Sequence, residues 1–170
     1  MRAFVYGFKP FRHYSHNITE AVVQALPARR GLTRHVFDVR FDRAQFVDAV
    51  KKAHPDVVLG LGMHGRARKI RVERRAVNKQ RAADGTPPRP IRRGGPPALF
   101  ATLDVPTTPS TTVTYNAGTY VCNFSMYVLL EYCQLEAIPY AFLHVPPRIP
   151  TAPVTRVIAK ILSSAEEQMS

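Results

Sequence analysis

The sequence has no tryptophan, two cysteines and only 12 acidic residues among 170. Two cysteines cannot build the disulfide-dense scaffold of a small secreted protein, so both thiols are expected free in the reducing cytoplasm. No apolar run approaches the ~20 residues of a membrane-spanning helix, which argues against an integral membrane protein. The opening stretch from Met1 to Pro10 is too short and too soon broken for a signal peptide. What the chain does have is a globular balance. Hydrophobic residues make up 45 % of it, against wholesale disorder, and its length suits one domain over 1–170 with a proper core.

Charge is the unusual property. Lys and Arg number 24, giving a net charge of +12 and an isoelectric point near 10.3. Such a chain is attracted to polyanions. The charge is concentrated: Arg66, Arg68, Lys69, Arg71, Arg74, Arg75, Lys79, Arg81, Arg89, Arg92 and Arg93 face only Glu73 and Asp84, so this stretch carries +9 of the +12.

Strand and helix patterns alternate along the chain. Residues 2–7 read as a short apolar strand ending in glycine. Asn17-Ile18-Thr19-Glu20 reads as a capping box, with Glu20 reaching back, for a helix to about Leu26 that Pro27 stops. A strand over 33–38 and a helix from about Arg43 to Ala53, ended by Pro55, follow. Residues 56–62 are a buried strand running into a glycine turn, apolar on both faces as in a parallel sheet. The stretch 82–98 is rich in Pro, Gly and Arg and reads as a loop. A β-branched strand at 111–115, a turn at 116–118, an apolar helix from Val121 to Cys133, a strand at 141–145 and an amphipathic helix at 153–167 complete the chain. Repeated β-α units predict an α/β fold, a three-layer α/β/α sandwich with a largely parallel sheet.

Three residues could carry chemistry. Cys122 opens the apolar helix, where free N–H groups and the positive end of the dipole favour a thiolate and could hold an oxyanion. Taken alone, a cysteine in an apolar run reads more simply as a small core residue, and Cys133, about 16 Å further along the helix at 1.5 Å per residue, keeps that reading. His144 ends a strand, where α/β sheets place ligands and catalytic groups, and could serve as base to a thiol. A structural histidine bonded to a loop carbonyl is the plainer alternative. Glu73 lies inside the basic run. It could orient a histidine as the third member of a triad, or be a surface ion pair.

Read in order, five blocks make one pattern: Gly7-Phe8-x-Pro10-Phe11; Gly60-Leu61-Gly62-x-x-Gly65 with Glu73-Arg74-x-Ala76-Val77-Asn78; Gly94-Gly95-Pro96-Pro97-Ala98; Asn116-Ala117-Gly118-Thr119-Tyr120-Val121-Cys122-Asn123; and Phe142-Leu143-His144-Val145-Pro146. The chain resembles the pyroglutamyl peptidase I family of cysteine peptidases from near residue 4 to near residue 147. The resemblance implies a Glu73, Cys122, His144 triad, an α/β/α sandwich, a cytoplasmic location, often a homotetramer, and no metal or cofactor. It implies removal of N-terminal pyroglutamate from peptides through an acyl-enzyme. Phe8 and Phe11 would flank the lactam ring, and the candidate substrate-binding set is Phe8, Phe11, Asn17 and Met63.

The chain departs from the family pattern at several points. Arg12-His13 replaces a Gly-Gly pair. Met63 stands where relatives usually have a glutamine near the lactam, and Arg71 where they have Ser or Thr. The family's oxyanion-side arginine has no in-register match, and Arg81 is the nearest candidate. Leu103 to Thr112 occupies the place of a whole helix, and Pro106 and Pro109 argue against one there. One sheet face is therefore expected to be uncovered, or covered by a partner chain. Three other readings stay open: a nucleic-acid-binding protein built on the Arg66–Arg93 cluster, a degenerate homologue that only assembles with a partner, and a thiol hydrolase with an altered substrate.

Overall fold

In chain order the elements are strand β1 (Ala3–Phe8), helix α1 (Ile18–Ala25), strand β2 (Leu32–Phe37), helix α2 (Arg43–Ala53), strands β3 (Val57–Met63), β4 (Ile70–Glu73), β5 (Arg75–Val77), β6 (Ala98–Phe100) and β7 (Thr111–Thr114), helix α3 (Val121–Leu135), strand β8 (Tyr140–Val145) and helix α4 (Thr151–Gln168). This is a computed structural model, and it describes residues 1–11, 14–82 and 85–169. The expectation about Arg12 and His13 lies outside the described residues.

The apolar strands owe their continuous hydrophobicity to burial on both faces. On β1, Ala3 and Val5 enter one core while Phe4, Tyr6 and Phe8 enter the other. On β8, Ala141, Leu143 and Val145 alternate in the same way with Tyr140 and Phe142. The first core is closed by Val22 and Val23 of α1 and by Val154, Ile158 and Ile161 of α4. The second is closed by Phe46 and Val50 of α2 and by Phe124, Val128 and Leu129 of α3. Helices thus cover both faces of the sheet, giving the three layers the repeated β-α pattern predicts.

The sheet runs β2-β1-β3-β8-β4-β7. Its strands are parallel from β2 to β8. β4 then enters antiparallel to β8, with Arg71 opposite His144 and Glu73 opposite Phe142, and β7 runs parallel to β4. β5 and β6 form a separate antiparallel ribbon.

Local chemistry sets the helix ends. The Asn17 side chain caps α1, its Oδ1 accepting from Thr19 N at 3.0 Å and from Thr19 Oγ1 at 2.8 Å. The cap therefore works through Thr19; a reciprocal bond from the Glu20 side chain is not among those of the described residues. Asp42 caps α2 by accepting from Ala44 N, and His54, at φ 45°, ends it in the left-handed region just before Pro55. No helix among the described residues is long and apolar enough to cross a membrane.

Two features lie beyond the sequence pattern, and the expectation of an uncovered sheet face needs correction. β4, β5 and β6 are strands that the sequence pattern does not mark, since each has three or four residues and β4 alternates apolar with basic or acidic side chains. The loop before β6 is tied down: Gln80 and Arg89 exchange backbone hydrogen bonds of 2.7 and 3.0 Å, and the Asn78 side chain accepts from Arg92 N at 2.9 Å and donates to its carbonyl at 2.8 Å. The segment that replaces a helix also covers its own stretch of core. Leu103 and Val105 are buried in the first core, and the backbone N–H groups of Thr102 and Leu103 donate to Tyr140 O, both at 3.0 Å.

Candidate active site

The alternation of β8 that sends Leu143 and Val145 to one face sends His144 to the other, at the C-terminal end of the strand. β4 lies beside it and carries Arg71 and Glu73 on that same face. His144 Nδ1 and Glu73 Oε1 are 2.8 Å apart, and both side chains are essentially out of solvent, at 3 and 0 % exposure. Thr114, opposite Glu73 in the β4–β7 register, donates its hydroxyl to Glu73 Oε2 at 2.5 Å. Both carboxylate oxygens are therefore hydrogen-bonded, which is what a buried carboxylate requires.

Cys122 approaches from α3. Gly62, near the end of β3, is the meeting point: a Cβ built there would stand 2.6 Å from Cys122 Sγ and 3.1 Å from His144 Cδ2. The sulfur and the imidazole thus converge on a strand residue that has no side chain. Cys122 is the second residue of α3, whose N-cap Tyr120 makes no side-chain capping bond. The N–H groups of that first turn therefore have no side-chain cap, the arrangement that suits an anion. Beneath it, Ser125 Oγ donates to the Cys122 carbonyl at 2.9 Å and lies 3.2 Å from Tyr6 Oη, which in turn lies 2.7 Å from Tyr140 Oη. Asn123, fully buried, accepts from Val77 N at 2.8 Å and donates to the carbonyls of Val77 and Lys79 at 2.9 and 3.0 Å. That clamp fixes the strand after Glu73 to the helix that carries the thiol.

The electrostatics follow from these contacts. Burial works against a charged His144, but the hydrogen bonds to Cys122 and Glu73 and the charges of those two groups outweigh it and raise the imidazole to about 9. Burial likewise opposes a charged Glu73. Hydrogen bonds from His144 and Thr114, with the charges of His144 and Arg71, hold its carboxyl below the usual carboxylate value. His64, just past β3, sits edge-on to His144 with ring centroids 5.2 Å apart and lies 3.2 Å from the Arg71 guanidinium. Its pKa is lowered, first by burial and then by the positive charges of His144 and Arg71. Cys133 is fully buried and its thiol is pushed up to about 12 by burial.

Beside the sulfur is a cavity of about 140 Å³ that brings Phe8, Phe11, Asn17 and Met63 together with Cys122. Tyr14, Val39, Tyr120 and Val121 complete its wall. Phe11 packs on Tyr120 with centroids 5.4 Å apart. The volume lies well below the ~300–1,000 Å³ of sites for drug-sized ligands, so it suits one small, mostly apolar ring. Asn17 is both helix cap and cavity wall. Arg81 stands apart from this group. It is exposed, its backbone N–H donates to Thr119 O at 2.8 Å beside the start of α3, and the arginine whose charge reaches Glu73 is Arg71.

Sequence reasoning did not single out Thr114, Tyr120, Val39, Tyr14 or His64. The role of Thr114 depends on the pairing of β4 with β7, and no spacing rule signals it. Within the basic stretch, Arg66, Arg68, Lys69, Lys79, Arg81, Arg89 and Arg93 are exposed, while four arginines have partners within the chain. Arg71 is engaged with His64, Arg74 donates to Leu103 O at 3.0 Å, Arg75 donates to Tyr115 O at 3.0 Å, and Arg92 pairs with Glu131 at 2.5 Å. Among the described residues, no three His, Cys, Asp or Glu side chains are grouped to hold a metal ion.

Comparison with known proteins agrees with the motif order. The family model described as pyroglutamyl peptidase matches residues 1–165. A pyrrolidone-carboxylate peptidase from Halalkalibacterium halodurans is 34 % identical over 163 residues, spanning 82 % of this chain and 81 % of that protein. One from Thermococcus litoralis is 31 % identical over 170 residues, spanning 85 and 76 %. Among solved structures, a mutant pyrrolidone carboxyl peptidase from Pyrococcus furiosus superposes over the full length of both chains with a TM-score of 0.87 at 22 % identity. The Thermococcus litoralis enzyme superposes over 99 % of this chain and 96 % of its own with a TM-score of 0.85 at 23 % identity. At those identities the structures speak for the fold, while the sequence matches speak for descent, and the chain belongs to the pyroglutamyl peptidase family.

Proposed function

We propose that the protein is a cysteine peptidase that removes an N-terminal pyroglutamyl residue from peptides, with Cys122 as nucleophile, His144 as general base and acid, and Glu73 as the group that orients the imidazole. The observation that carries this reading is the convergence of Cys122 Sγ and His144 on Gly62, with His144 bonded in turn to Glu73. The family's relatives are named for the same activity.

The lactam ring enters the aromatic cavity between Phe8 and Phe11, against Asn17 and Met63, which sets its exocyclic carbonyl beside the sulfur. The Cys122 sulfur attacks that carbon, the proton of the thiol residing on His144. The negative oxygen of the tetrahedral intermediate turns to the uncapped N–H groups at the start of α3, and Arg81, whose backbone is bonded to Thr119 beside that turn, is the candidate cation for it. Collapse breaks the C–N bond, and His144 gives its proton to the leaving amine. Water, deprotonated by the same imidazole, then releases pyroglutamate and regenerates the thiol. Glu73, held from behind by Thr114, keeps Nδ1 protonated and Nε2 turned to the sulfur. Every step uses groups of the chain and water.

The test is hydrolysis of a pyroglutamyl-coumarin amide, with and without prior alkylation by iodoacetamide. Turnover abolished by alkylation and by Cys122→Ala is the expected result, and full activity in Cys122→Ala overturns the reading. Rapid alkylation of Cys122 without turnover would mean a live nucleophile with a different acyl substrate.

A further inference from the structure

A second, wider groove of about 820 Å³ adjoins the aromatic cavity and shares Tyr14 and Met63 with it as walls. Gly65, past the end of β3, and Pro146, two residues beyond His144, form its floor, joined where His64 N donates to Val145 O at 3.0 Å. Its charged walls are Arg68 and Arg148, both exposed, and neither has a carboxylate partner among the described residues. No Asp or Glu lines the groove among the described residues. Arg71, Arg74, Arg75 and Arg92, further along the basic stretch, are by contrast engaged with partners within the chain.

In the reaction above, the acyl ring fills the small cavity and the leaving amine departs on the His144 side. The chain that follows the scissile bond must lie where there is room for an extended peptide, beginning near the residues after His144. The groove meets both conditions. We infer that this groove holds the leaving peptide, and that Arg68 and Arg148 select for Asp and Glu in the first positions after the pyroglutamyl residue. The inference rests on the peptidase reading.

Exposed ion pairs are worth ~0.2–1 kcal/mol each, so two of them separate acidic from basic peptides by about tenfold, an effect that salt screens. The experiment compares kcat/KM for pyroglutamyl peptides continuing Glu-Asp, Ala-Ala or Lys-Lys at low and high salt. The expected order is acidic, neutral, basic, with the difference mostly in KM and reduced at high salt. In an Arg68→Gln, Arg148→Gln double variant the ratio of acidic to basic collapses toward one, and an Arg68→Glu, Arg148→Glu double variant inverts it. Equal kcat/KM on the three peptides overturns the inference. So does a preference that survives the double variant, because it would come from the net charge of the whole protein. The same peptides, fluorescently labelled at the C-terminus, are also titrated into Cys122→Ala protein. Acidic-selective binding without turnover by the active protein retires the peptidase reading and keeps the groove, whereas turnover without selectivity does the reverse.

Discussion

Gly62 leaves no room for a side chain against Cys122: a methyl group there would lie 2.6 Å from the sulfur and 2.8 Å from Cζ of Phe142. A sulfur can rotate away from such a methyl, but a packed phenylalanine ring yields less easily. Gly62→Ala therefore turns the thiol out of line with His144 and costs about 10²-fold in kcat/KM, the scale of a misplacement near 1 Å. The overpacking penalty is ~1–3 kcal/mol. Activity and thermal unfolding of the variant, measured together, check this. Activity equal to that of the parent would show that the sulfur need not touch this strand.

Glu73→Gln tests the electrostatics. The raised value of His144, about 9, depends on its hydrogen bonds to Cys122 and Glu73 and on their charges. The active protonation state should persist through neutrality, with an alkaline limb of kcat/KM near pH 9. Removing the carboxylate charge moves that limb down toward the ordinary 6.5 of histidine. A pH–rate profile with an unmoved limb would count against Glu73 as the orienting group.

The same pair makes stability depend on pH. His144 has a folded value above its unfolded 6.5, so its contribution is complete below that and is lost as pH rises through about 9. Glu73 has a depressed value, so its contribution is present above 4.5 and is lost as pH falls through the folded value. Unfolding midpoints in urea across this range should form a plateau that slopes down at both ends. Glu73→Gln should flatten both slopes.

The two thiols should react differently. Cys133 is sealed in the core with its thiol pushed up to about 12, while Cys122 lines the cavity. Iodoacetamide at neutral pH should add one carbamidomethyl group to the native protein, at Cys122, and two in denaturant. Peptide mass mapping reads this directly, and modification of Cys133 in native protein would contradict the packing of α3.

Asn123→Ala removes three hydrogen bonds at once and strands the N–H and carbonyl of Val77 and the carbonyl of Lys79. Each buried polar group left unpaired costs ~1–3 kcal/mol. With roughly 2–4 °C per kcal/mol for a chain of this size, the melting temperature should fall by several degrees at least. Activity should fall too, since Glu73 lies just before the clamped segment. A variant with the parent's melting temperature would mean that water or a neighbour satisfies those groups.

Much of this arrangement could be read before any coordinates. β1, β3 and β8 are apolar runs bounded by glycine or proline, and α1 and α2 have side-chain caps and proline stops. Cys122 at a helix start and His144 at a strand end were visible from position alone. Glu73 stood out as a carboxylate inside the basic run, but its place beside His144 depends on strand pairing that the sequence does not show. β4 escaped because a strand of four residues is defined by its neighbours: Arg71 and Glu73 look like surface charge until β8 and β7 enclose them. The basic stretch is legible only in part. Its count of arginines says nothing of direction, and Arg71, Arg74, Arg75 and Arg92 turn to histidine, carbonyls and carboxylate. Nor could spacing anticipate that Leu103 and Val105, in a segment too proline-rich for a helix, would seal the core as extended chain.

The chain of hydroxyls from Tyr140 through Tyr6 to Ser125 ends on the carbonyl of Cys122 and so hangs that cysteine from the middle of the sheet. Part of the wall of the neighbouring cavity comes from elsewhere: Phe11 and Tyr14 from a connecting segment, Val39 from the stretch after β2, Met63 from the last residue of β3, while Phe8, Asn17, Tyr120 and Val121 supply the rest. The support of the sulfur and much of that wall thus belong to separate parts of the molecule. A wall residue such as Met63 can be exchanged without disturbing the hydroxyls that hold the sulfur in its station.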